Sequence, residues 1–386
     1  MTAGSQSALR EANAARIIEA IQRFGSLTQV ELSEATRLSP ATVSTIVKQL
    51  LEAGAIETRT TTRSGRRAQL VTLAHSRGLV AGVHVSPRSL RLAIADTSFT
   101  VLAEQFLPLR PEHRFDTTLD RVALLLVEQV EQLGSTLEEV LGIGVALPAP
   151  VHPQTGEIAV PGIMRGWEDV DLQETLEARL QRPVQFDNDA NLAALAETRF
   201  GAGRGTDSVL YIRASYGVGA GLVVGGDILR GPRGTAGEIG HVLADPLGQI
   251  CICGSRGCLD TVVGAQALVE ALRVSRGSIT LADLLRLASE GDPGSRQVIT
   301  DAGGLIGTHV ANLAVAADPS IIVIGGELAA TEDLLLEPIR AAVSRRVLLG
   351  GDNPIQVVRA ELGAQAEVRG ALAAAADLSP ISGGVR

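Results

Sequence analysis

The chain has 386 residues, of which 45% are hydrophobic and only 2% aromatic, so its cores must be built from aliphatic side chains. This length exceeds one ordinary core and predicts two or three domains. No apolar run reaches the roughly 18 residues of a membrane span, and the N-terminal residues lack the apolar core of a signal peptide. These features predict a soluble, cytoplasmic protein with no membrane partner.

The charge is unevenly distributed along the chain. Residues 1–75 hold nine Lys or Arg and six Asp or Glu, a net charge of +3, and the remainder holds 25 and 37, a net charge of −12. A basic head on an acidic body indicates that only the head contacts a polyanion. Because +3 over 75 residues is modest, chance explains the charge alone equally well.

Three short helices are predicted in residues 1–75. Isoleucines at 17, 18 and 21 have helical spacing and predict a first helix over 15–24. Thr28 and Glu31 have the spacing of a capping box, which starts a second helix predicted to bury Val30, Leu32 and Ala35. A serine followed by proline at 39–40 is an N-cap before the first helical position of a third helix.

The third helix and the segment behind it have the features of a DNA reader. Two strand-like runs, 55–61 and 68–73, follow the helix, and the loop between them contains arginines with Gly65 at the turn. Small hydrogen-bonding side chains near a helix N-terminus reach base edges, and basic side chains hold phosphates or enter the minor groove. We therefore predict a winged helix-turn-helix that binds double-stranded operator DNA. Its expected DNA contacts are Thr42, Ser44, Thr45 and Lys48 on the helix and Arg63, Arg66 and Arg67 on the wing. The alternative is a helical dimerisation module whose polar face is only solvated.

Residues 76–386 alternate between strands and helices in an order repeated twice, which is typical of an α/β fold. A two-residue hairpin turn is predicted at Gly225-Gly226. The last third is mostly helical. The predicted strands cover 79–85, 90–95, 101–107, 140–146, 184–187 and 321–324, and the predicted helices include 117–133 and one starting at Asn188.

All three cysteines of the chain lie within eight positions, ten residues after a histidine. Clustered cysteines in a cytoplasmic protein suggest a metal before a disulfide. Two glycines, Gly254 and Gly257, let the chain curl so that the last cysteine joins the first two. We predict a closed, structural zinc site with four protein ligands, His241, Cys251, Cys253 and Cys258. The alternative is three unrelated thiols.

Several motifs together resemble the ROK family, which comprises repressors, open reading frames and sugar kinases. GEIGH at 237–241 precedes CICGSRGCLD at 251–260, and DNDAN at 187–191 precedes FGAGRG at 200–205. GWEDVDL at 166–172, GVGAG at 217–221 and IGGE at 324–327 also match. The resemblance covers essentially all of residues 76–386, and a winged helix in front is typical of its repressor branch.

The resemblance implies a winged helix-turn-helix over 1–75 and a two-lobed, actin-like body of ribonuclease-H type over 76–386. Lobe one is expected over about 76–190 plus the C-terminal helix, and lobe two over about 191–365. A sugar cleft between the lobes and a homodimer or homotetramer are also implied.

The resemblance further implies which residues bind sugar. These are Asn188 and Asp189 of DNDAN, Glu238 and His241 of GEIGH, and Asp260, where the family normally has glutamate. His241 is expected to contact sugar with one ring edge and zinc with the other ring nitrogen. In the kinases the residue equivalent to Asp189 is also the general base. Read from its local sequence alone, Asn188 could instead simply cap its helix.

The phosphate-binding loops differ from those of the kinases. Where the family has DxGGT, this chain has His84 in place of the aspartate and Ser86-Pro87-Arg88 in place of the glycine turn. In the second loop Ser215 and Tyr216 replace Gly and Thr. Proline removes an amide donor and tyrosine crowds a phosphate. We therefore expect a transcriptional regulator, a repressor of carbohydrate metabolism, that senses a sugar with no catalytic residue beyond the vestigial base Asp189. The alternatives are a bifunctional sugar kinase with a DNA-binding head, or a body used only for oligomerisation or a protein partner.

Overall fold

A computed structural model describes residues 3–63, 66–73, 78–111, 113–346 and 354–378. The chain packs into two units. Unit one comprises Met1–Ala146, Leu172–Phe186 and Ala371–Arg386, and unit two comprises Leu147–Asp171 and Asp187–Gly370.

The N-terminal part of unit one is a winged helix-turn-helix. Its elements are α1 (Ala3–Phe24), β1 (Leu27–Thr28), α2 (Gln29–Thr36), α3 (Pro40–Glu52), β2 (Ile56–Arg63) and β3 (Arg66–Leu73). The strands form an antiparallel sheet in the order β1-β3-β2. The predicted capping signals are confirmed: Thr28 and Glu31 form a reciprocal capping box on α2, and the Ser39 hydroxyl accepts the Thr42 amide at the start of α3. Aliphatic side chains of all three helices and the sheet form one core.

The buried face of α2 differs from the sequence prediction. Leu32 is buried as predicted, but Val30 is 69% exposed and Ala35 is also exposed. Thr36 takes the inward position one turn after Leu32, and its hydroxyl donates to the Leu32 carbonyl. A polar residue therefore completes this face because its hydroxyl is satisfied within the helix.

The wing strands are longer than predicted. Arg63 ends β2 and pairs with Arg66 at the start of β3, so these arginines and Arg67 lie in strands and not in a loop. The sequence prediction was wrong because arginine does not mark where a strand ends. Gly65, the predicted turn residue, and the side chains of the three arginines lie outside what the structure describes.

A five-stranded sheet follows in the order β6-β5-β4-β7-β8. Strands β4, β5 and β6 form an antiparallel meander, and β7 adds to β4 in parallel after a crossover helix. The bounds are β4 (Leu79–Val85), β5 (Ser89–Asp96), β6 (Val101–Pro108), α4 (Phe115–Gln132), β7 (Val140–Leu147), α5 (Leu172–Leu180) and β8 (Val184–Asn188).

The second five-stranded sheet has the same path, with the order β11-β10-β9-β12-β13. Gly225 and Gly226 form the predicted turn between β10 and β11, with φ of 61° and 86°, which glycine adopts without strain. The elements are α6 (Asp189–Phe200), β9 (Ser208–Ala214), β10 (Val218–Val224), β11 (Asp227–Ile228), α7 (Asp260–Val263), α8 (Ala265–Ala271), α9 (Arg273–Arg276), α10 (Leu281–Ser289), α11 (Pro293–Ala317), β12 (Ile321–Gly325), α12 (Asp333–Ser344), β13 (Gln356–Arg359) and α13 (Ala366–Asp377). Two such sheets give the predicted α/β, ribonuclease-H-type body.

Helix α11 is, by length and composition, apolar enough to cross a membrane. Its residues Ile299, Ile306 and Val310 are fully buried and belong to the aliphatic core of unit two, and the helix packs against α12. We therefore describe α11 as a core helix.

Candidate functional site

The exposed face of α3 carries the side chains predicted to read DNA. The Thr45 hydroxyl donates to the Ala41 carbonyl one turn earlier. Lys48 lies 3.9 Å from Glu52 in an exposed pair, which is too weak to withhold the ammonium from a phosphate. The face consists of Thr42, which is half-buried, and the exposed Ser44, Thr45 and Lys48.

The predicted sugar ligands begin where β8 ends and α6 starts. Asn188 is the N-cap of α6, and its Oδ1 accepts the amides of Ala190 and Asn191 at 2.8 and 3.3 Å. Its Nδ2 donates to Oε1 of Glu238, 3.4 Å away. Asn188 is therefore a helix cap, and the cap fixes the direction of its amide group. Asp189 follows as the first residue of α6 and is 5% exposed.

Glu238 and Asp260 add two half-buried carboxyl groups to the same unit. Burial, followed by the charges of Asp189 and Asp260, raises the pKa of Glu238 to about 8. Burial also raises the pKa of Asp260, against a lowering by the Val218 amide and by the charge of His241. The Val218 amide donates to Asp260 Oδ1 at 2.7 Å, so the shorter acid is held against the backbone of β10.

His241 joins the carboxyl groups to the cysteines. Its Nε2 lies 3.7 Å from Oε2 of Glu238, and its Nδ1 lies 3.5 Å from Sγ of Cys251. The structure thus places one ring nitrogen toward the predicted sugar ligands and the other toward the predicted metal ligands. All five predicted sugar ligands and all four predicted metal ligands lie in unit two, whereas the predicted DNA contacts lie in unit one.

The histidine and the three cysteines form a cluster that could hold a metal ion. One ligand atom from each residue lies within 4.8 Å of the other three, and Sγ of Cys253 and Cys258 are 3.6 Å apart. Two thiolates on a tetrahedral zinc ion are about 3.8 Å apart, given a zinc–sulfur bond of about 2.3 Å. The separation is too long for a disulfide, and the cysteines are free. The donor set and its spacing therefore fit a tetrahedral metal.

Sequence reasoning missed a buried arginine beside Asp189. Arg213 on β9 donates from Nε to Oε1 of Glu367 at 2.8 Å, and the same Nε lies 3.5 Å from Oδ2 of Asp189. Burial alone lowers the pKa of Arg213, but the charges of Asp189, Glu367 and Glu327 outweigh burial and raise it. No local pattern reveals this network, because its members are far apart in sequence.

Several backbone amides in the two loops compared above with the kinase phosphate loops donate within their own turns. In the turn between β4 and β5, the amides of Arg88 and Ser89 donate to the Ser86 hydroxyl, and the Ser86 amide donates to the Ser89 carbonyl. In the second loop, the Ser215 amide donates to the Gly217 carbonyl.

The fold and the site define a sugar-kinase-like body behind a winged helix. Residues 80–377 match the ROK family, and residues 11–68 match the MarR family. Since the first match covers more than half of the chain, the protein belongs to the ROK family.

Named relatives include both regulators and kinases. The N-acetylglucosamine repressor of Escherichia coli O6:H1 is 31% identical over 93% of this chain and 91% of its own length. The solved structure of a ROK family transcriptional regulator, a homologue of the E. coli MLC protein, is 25% identical over 97% of both chains, with a TM-score of 0.74. A ROK family glucokinase from Streptomyces griseus, solved with glucose and AMPPNP, is 29% identical over 77% of this chain and 99% of its own, with a TM-score of 0.67.

Proposed function

We propose that the protein is a cytoplasmic, DNA-binding transcriptional repressor of carbohydrate metabolism whose ROK body senses a sugar without phosphorylating it. The observation that carries this proposal is the share of the chain that each solved structure matches. The regulator structure matches 97% of the chain, whereas the complete glucokinase matches 77%. The regulator structure thus matches nearly the whole chain, whereas the glucokinase leaves part of the chain unmatched.

The winged helix, over residues 1–75, is the operator-binding part of this proposal. The polar face of α3 enters the major groove, where Thr42, Ser44 and Thr45 reach base edges and Lys48 holds a phosphate. Arg63, Arg66 and Arg67 of the wing add backbone or minor-groove contacts. A homodimer or homotetramer presents paired heads to paired operator half-sites.

The body, over residues 76–386, is the effector-binding part, with lobe one over about 76–190 plus the C-terminal helix and lobe two over about 191–365. A sugar is a ring of hydroxyl groups, and adjacent hydroxyls match the carboxyl, amide and imidazole groups gathered here. Burial supports selectivity, because a group left without its partner hydroxyl is costly. The proposed sugar ligands are Asn188, Asp189, Glu238, His241 and Asp260.

The absence of phosphoryl transfer is supported by the loops and by Arg213. Phosphate loops offer unused backbone amides, whereas the Ser86 hydroxyl takes two amides of the first turn and Pro87 has none. In the second loop the Asp260 carboxylate holds the Val218 amide, and a carboxylate repels a phosphate. Arg213 beside Asp189 stabilises that residue as an anion and so weakens it as a base.

We infer that the His–Cys cluster binds a structural zinc ion, with His241, Cys251, Cys253 and Cys258 as its ligands. When bound, zinc ties four ligands from one loop into a closed tetrahedral site. The loop connects His241 to Asp260, so its fixed conformation sets the positions of both proposed sugar ligands.

Two assays separate this proposal from its alternatives. Calorimetric titration with D-glucose, N-acetyl-D-glucosamine and D-xylose should detect binding of at least one sugar by the wild-type protein and none by Asp189→Ala. Failure of every sugar in a wider panel favours a body that serves only oligomerisation or a protein partner. A coupled ATP-consumption assay with the same sugars should show no turnover, and turnover abolished by Asp189→Ala establishes the bifunctional kinase instead.

A further inference from the structure

Arg213 is a largely buried cation shared by two carboxylates. The side chains of Arg213, Glu367 and Asp189 are 11%, 6% and 7% exposed, so solvent screens little of their mutual attraction. Both carboxylates lie nearest to the same nitrogen, Nε, at 2.8 and 3.5 Å. Because they compete for one donor, removing charge from either strengthens the hold of Arg213 on the other.

The guanidinium keeps its charge whichever partner it favours. The charges of its carboxylate neighbours raise the pKa of Arg213 despite burial, and arginine is in any case not deprotonated in proteins. A change at either carboxylate therefore leaves the guanidinium protonated and can alter only how strongly it binds each partner.

The two carboxylates begin two different helices. Asp189 is the first residue of α6, and Glu367 lies in the first turn of α13. The helices approach closely, because a Cβ added at Gly370 would collide with the Leu192 carbonyl of α6. Near the other end of α6, Glu197 accepts the amides of two residues just ahead of α13, at 3.2 and 2.8 Å. The start of α13 is thus fixed by α6 at one point and by Arg213 at another.

Helix α13 belongs to both units. Glu367 lies in the part assigned to unit two, and from Ala371 onward the helix is assigned to unit one. There it lies against the glycines of β7, since Cβ atoms at Gly142 and Gly144 would collide with the carbonyls of Ala375 and Ala371. Helix α13 is thus closely packed both near its first turn and in its later turns.

We propose that Arg213 is a positioning residue that transmits occupancy of the Asp189 site to α13, an inference that rests on the sugar-sensing function proposed above. A sugar hydroxyl that donates to Asp189 satisfies that carboxylate and reduces its pull on Arg213. Arg213 then directs its Nε–H wholly to Glu367, already 2.8 Å away, and holds the first turn of α13 more tightly. By linkage, whatever fixes α13 in that position raises the affinity for the sugar by the same factor.

A first test needs no sugar, because Asp189→Asn removes the competing charge directly. Hydrogen exchange of the backbone amides of residues 370–373, which bond to carbonyls of the first turn, is measured in the full-length protein. Asp189→Asn should slow this exchange about fivefold or more, and should have no such effect in a Glu367→Gln background. Equal effects of Asp189→Asn in the two backgrounds overturn the proposal.

A second test uses sugar and DNA. The operator is a fragment that the wild-type protein selects from a random library, and the probes are D-glucose, N-acetyl-D-glucosamine and D-xylose. Glu367→Gln should still bind the sugar to which the wild-type protein responds. The ratio of its operator Kd values with and without that sugar should, however, move toward one. A purely structural role predicts a lower Tm with the ratio unchanged, and this outcome overturns the inference.

The matched control is Glu332→Gln, which removes an exposed carboxylate 2.8 Å from Arg359 in the same unit. It should leave both the exchange rates and the operator ratio at their wild-type values. A wild-type protein that responds to no sugar contradicts the proposed function. The hydrogen-exchange comparison of Asp189→Asn in the wild-type and Glu367→Gln backgrounds still decides whether Arg213 couples Asp189 to α13.

Discussion

Glu197 is a fully buried carboxylate whose oxygens accept hydrogen bonds from backbone amides. It accepts the Ala202 amide at 2.8 Å as well as those of Glu361 and Leu362. Burial raises the pKa of Glu197, and the three donated hydrogen bonds oppose that rise. The residue therefore joins the end of α6 to the segment before α13.

Replacing Glu197 with glutamine should destabilise the protein while changing its shape very little. The amide nitrogen of glutamine cannot accept, so at least one buried backbone N–H loses its partner. We expect the free energy of unfolding to fall by about 1–3 kcal/mol. Urea unfolding followed by circular dichroism measures it, with the exposed Glu332→Gln as the control, and equal midpoints for both variants contradict this role.

The metal cluster gives a second single-residue prediction. Wild-type protein should contain about one zinc ion per chain, and Cys253→Ser should lose it because serine is a much poorer zinc ligand than a thiolate. Loss of zinc should also abolish sugar binding, since the loop holds His241 and leads to Asp260. Elemental analysis and calorimetry test both statements. Well-folded wild-type protein without zinc contradicts the site.

Individual residues also show where sequence reasoning stops. The His–Cys cluster was visible because its four members lie within 18 positions, so spacing alone predicts their meeting. The contacts of Arg213 could not be predicted in this way, because in the sequence it lies 24 positions from Asp189 and 154 positions from Glu367. Such a meeting is decided by the pairing of strands and the packing of helices.

Among the elements, helix starts were the most predictable. The capping residues of α2 and α3 act through local hydrogen bonds, and these form as the sequence predicts. Which face of α2 is buried depends instead on neighbouring elements, and there Val30 and Ala35 were wrongly placed. The wing strands extend beyond their apolar residues because cross-strand hydrogen bonds continue through polar positions.

The wing should contribute affinity without sequence preference. Neutralising Arg66 and Arg67 together with glutamine removes two phosphate-binding charges. Binding should weaken on all DNA sequences, and the slope of log K against log salt should become shallower by about one unit for each phosphate that is no longer neutralised. Mobility-shift titrations at several salt concentrations test this, and an unchanged slope contradicts the assignment.

Helix α3 should instead determine which sequence is preferred. Thr42→Ala or Thr45→Ala should cost about 1–3 kcal/mol for each interaction with a base edge that the substitution removes, at particular operator positions only. Selection from a random DNA library, repeated with each variant, measures the change in preference. The exposed Glu52 at the far end of the helix provides a control as Glu52→Gln. If variants and wild type select the same sequence, α3 does not read bases.

At the scale of the whole molecule, the two five-stranded sheets have the same strand order. Both five-stranded sheets place the first strand in the middle, two antiparallel strands on one side and two later strands on the other. The repeated α/β order was apparent from the sequence, but the identical strand order was not, because long helical insertions between β11 and β12 separate the halves of the second sheet. The proposed carboxyl ligands and the His–Cys cluster all belong to the unit that contains this second sheet.

The proposed DNA contacts and the proposed sugar ligands lie in different units, and this separation leads to a prediction about regulation. A dimer binds two half-sites with a fixed spacing of about 34–36 Å or its multiples, so a ligand that favours another arrangement of the heads changes operator affinity. Glu238→Gln alters a group that lies between Asn188 and His241, and it leaves the winged helix untouched. We expect sugar affinity to fall about tenfold or more, equivalent to about 1.4 kcal/mol for a lost buried hydrogen bond, with operator affinity in the absence of sugar retained. Operator titrations with and without the active sugar, at concentrations that saturate the wild type, measure both quantities. A Glu238→Gln protein with an undiminished sugar response places the sensing site elsewhere in the molecule.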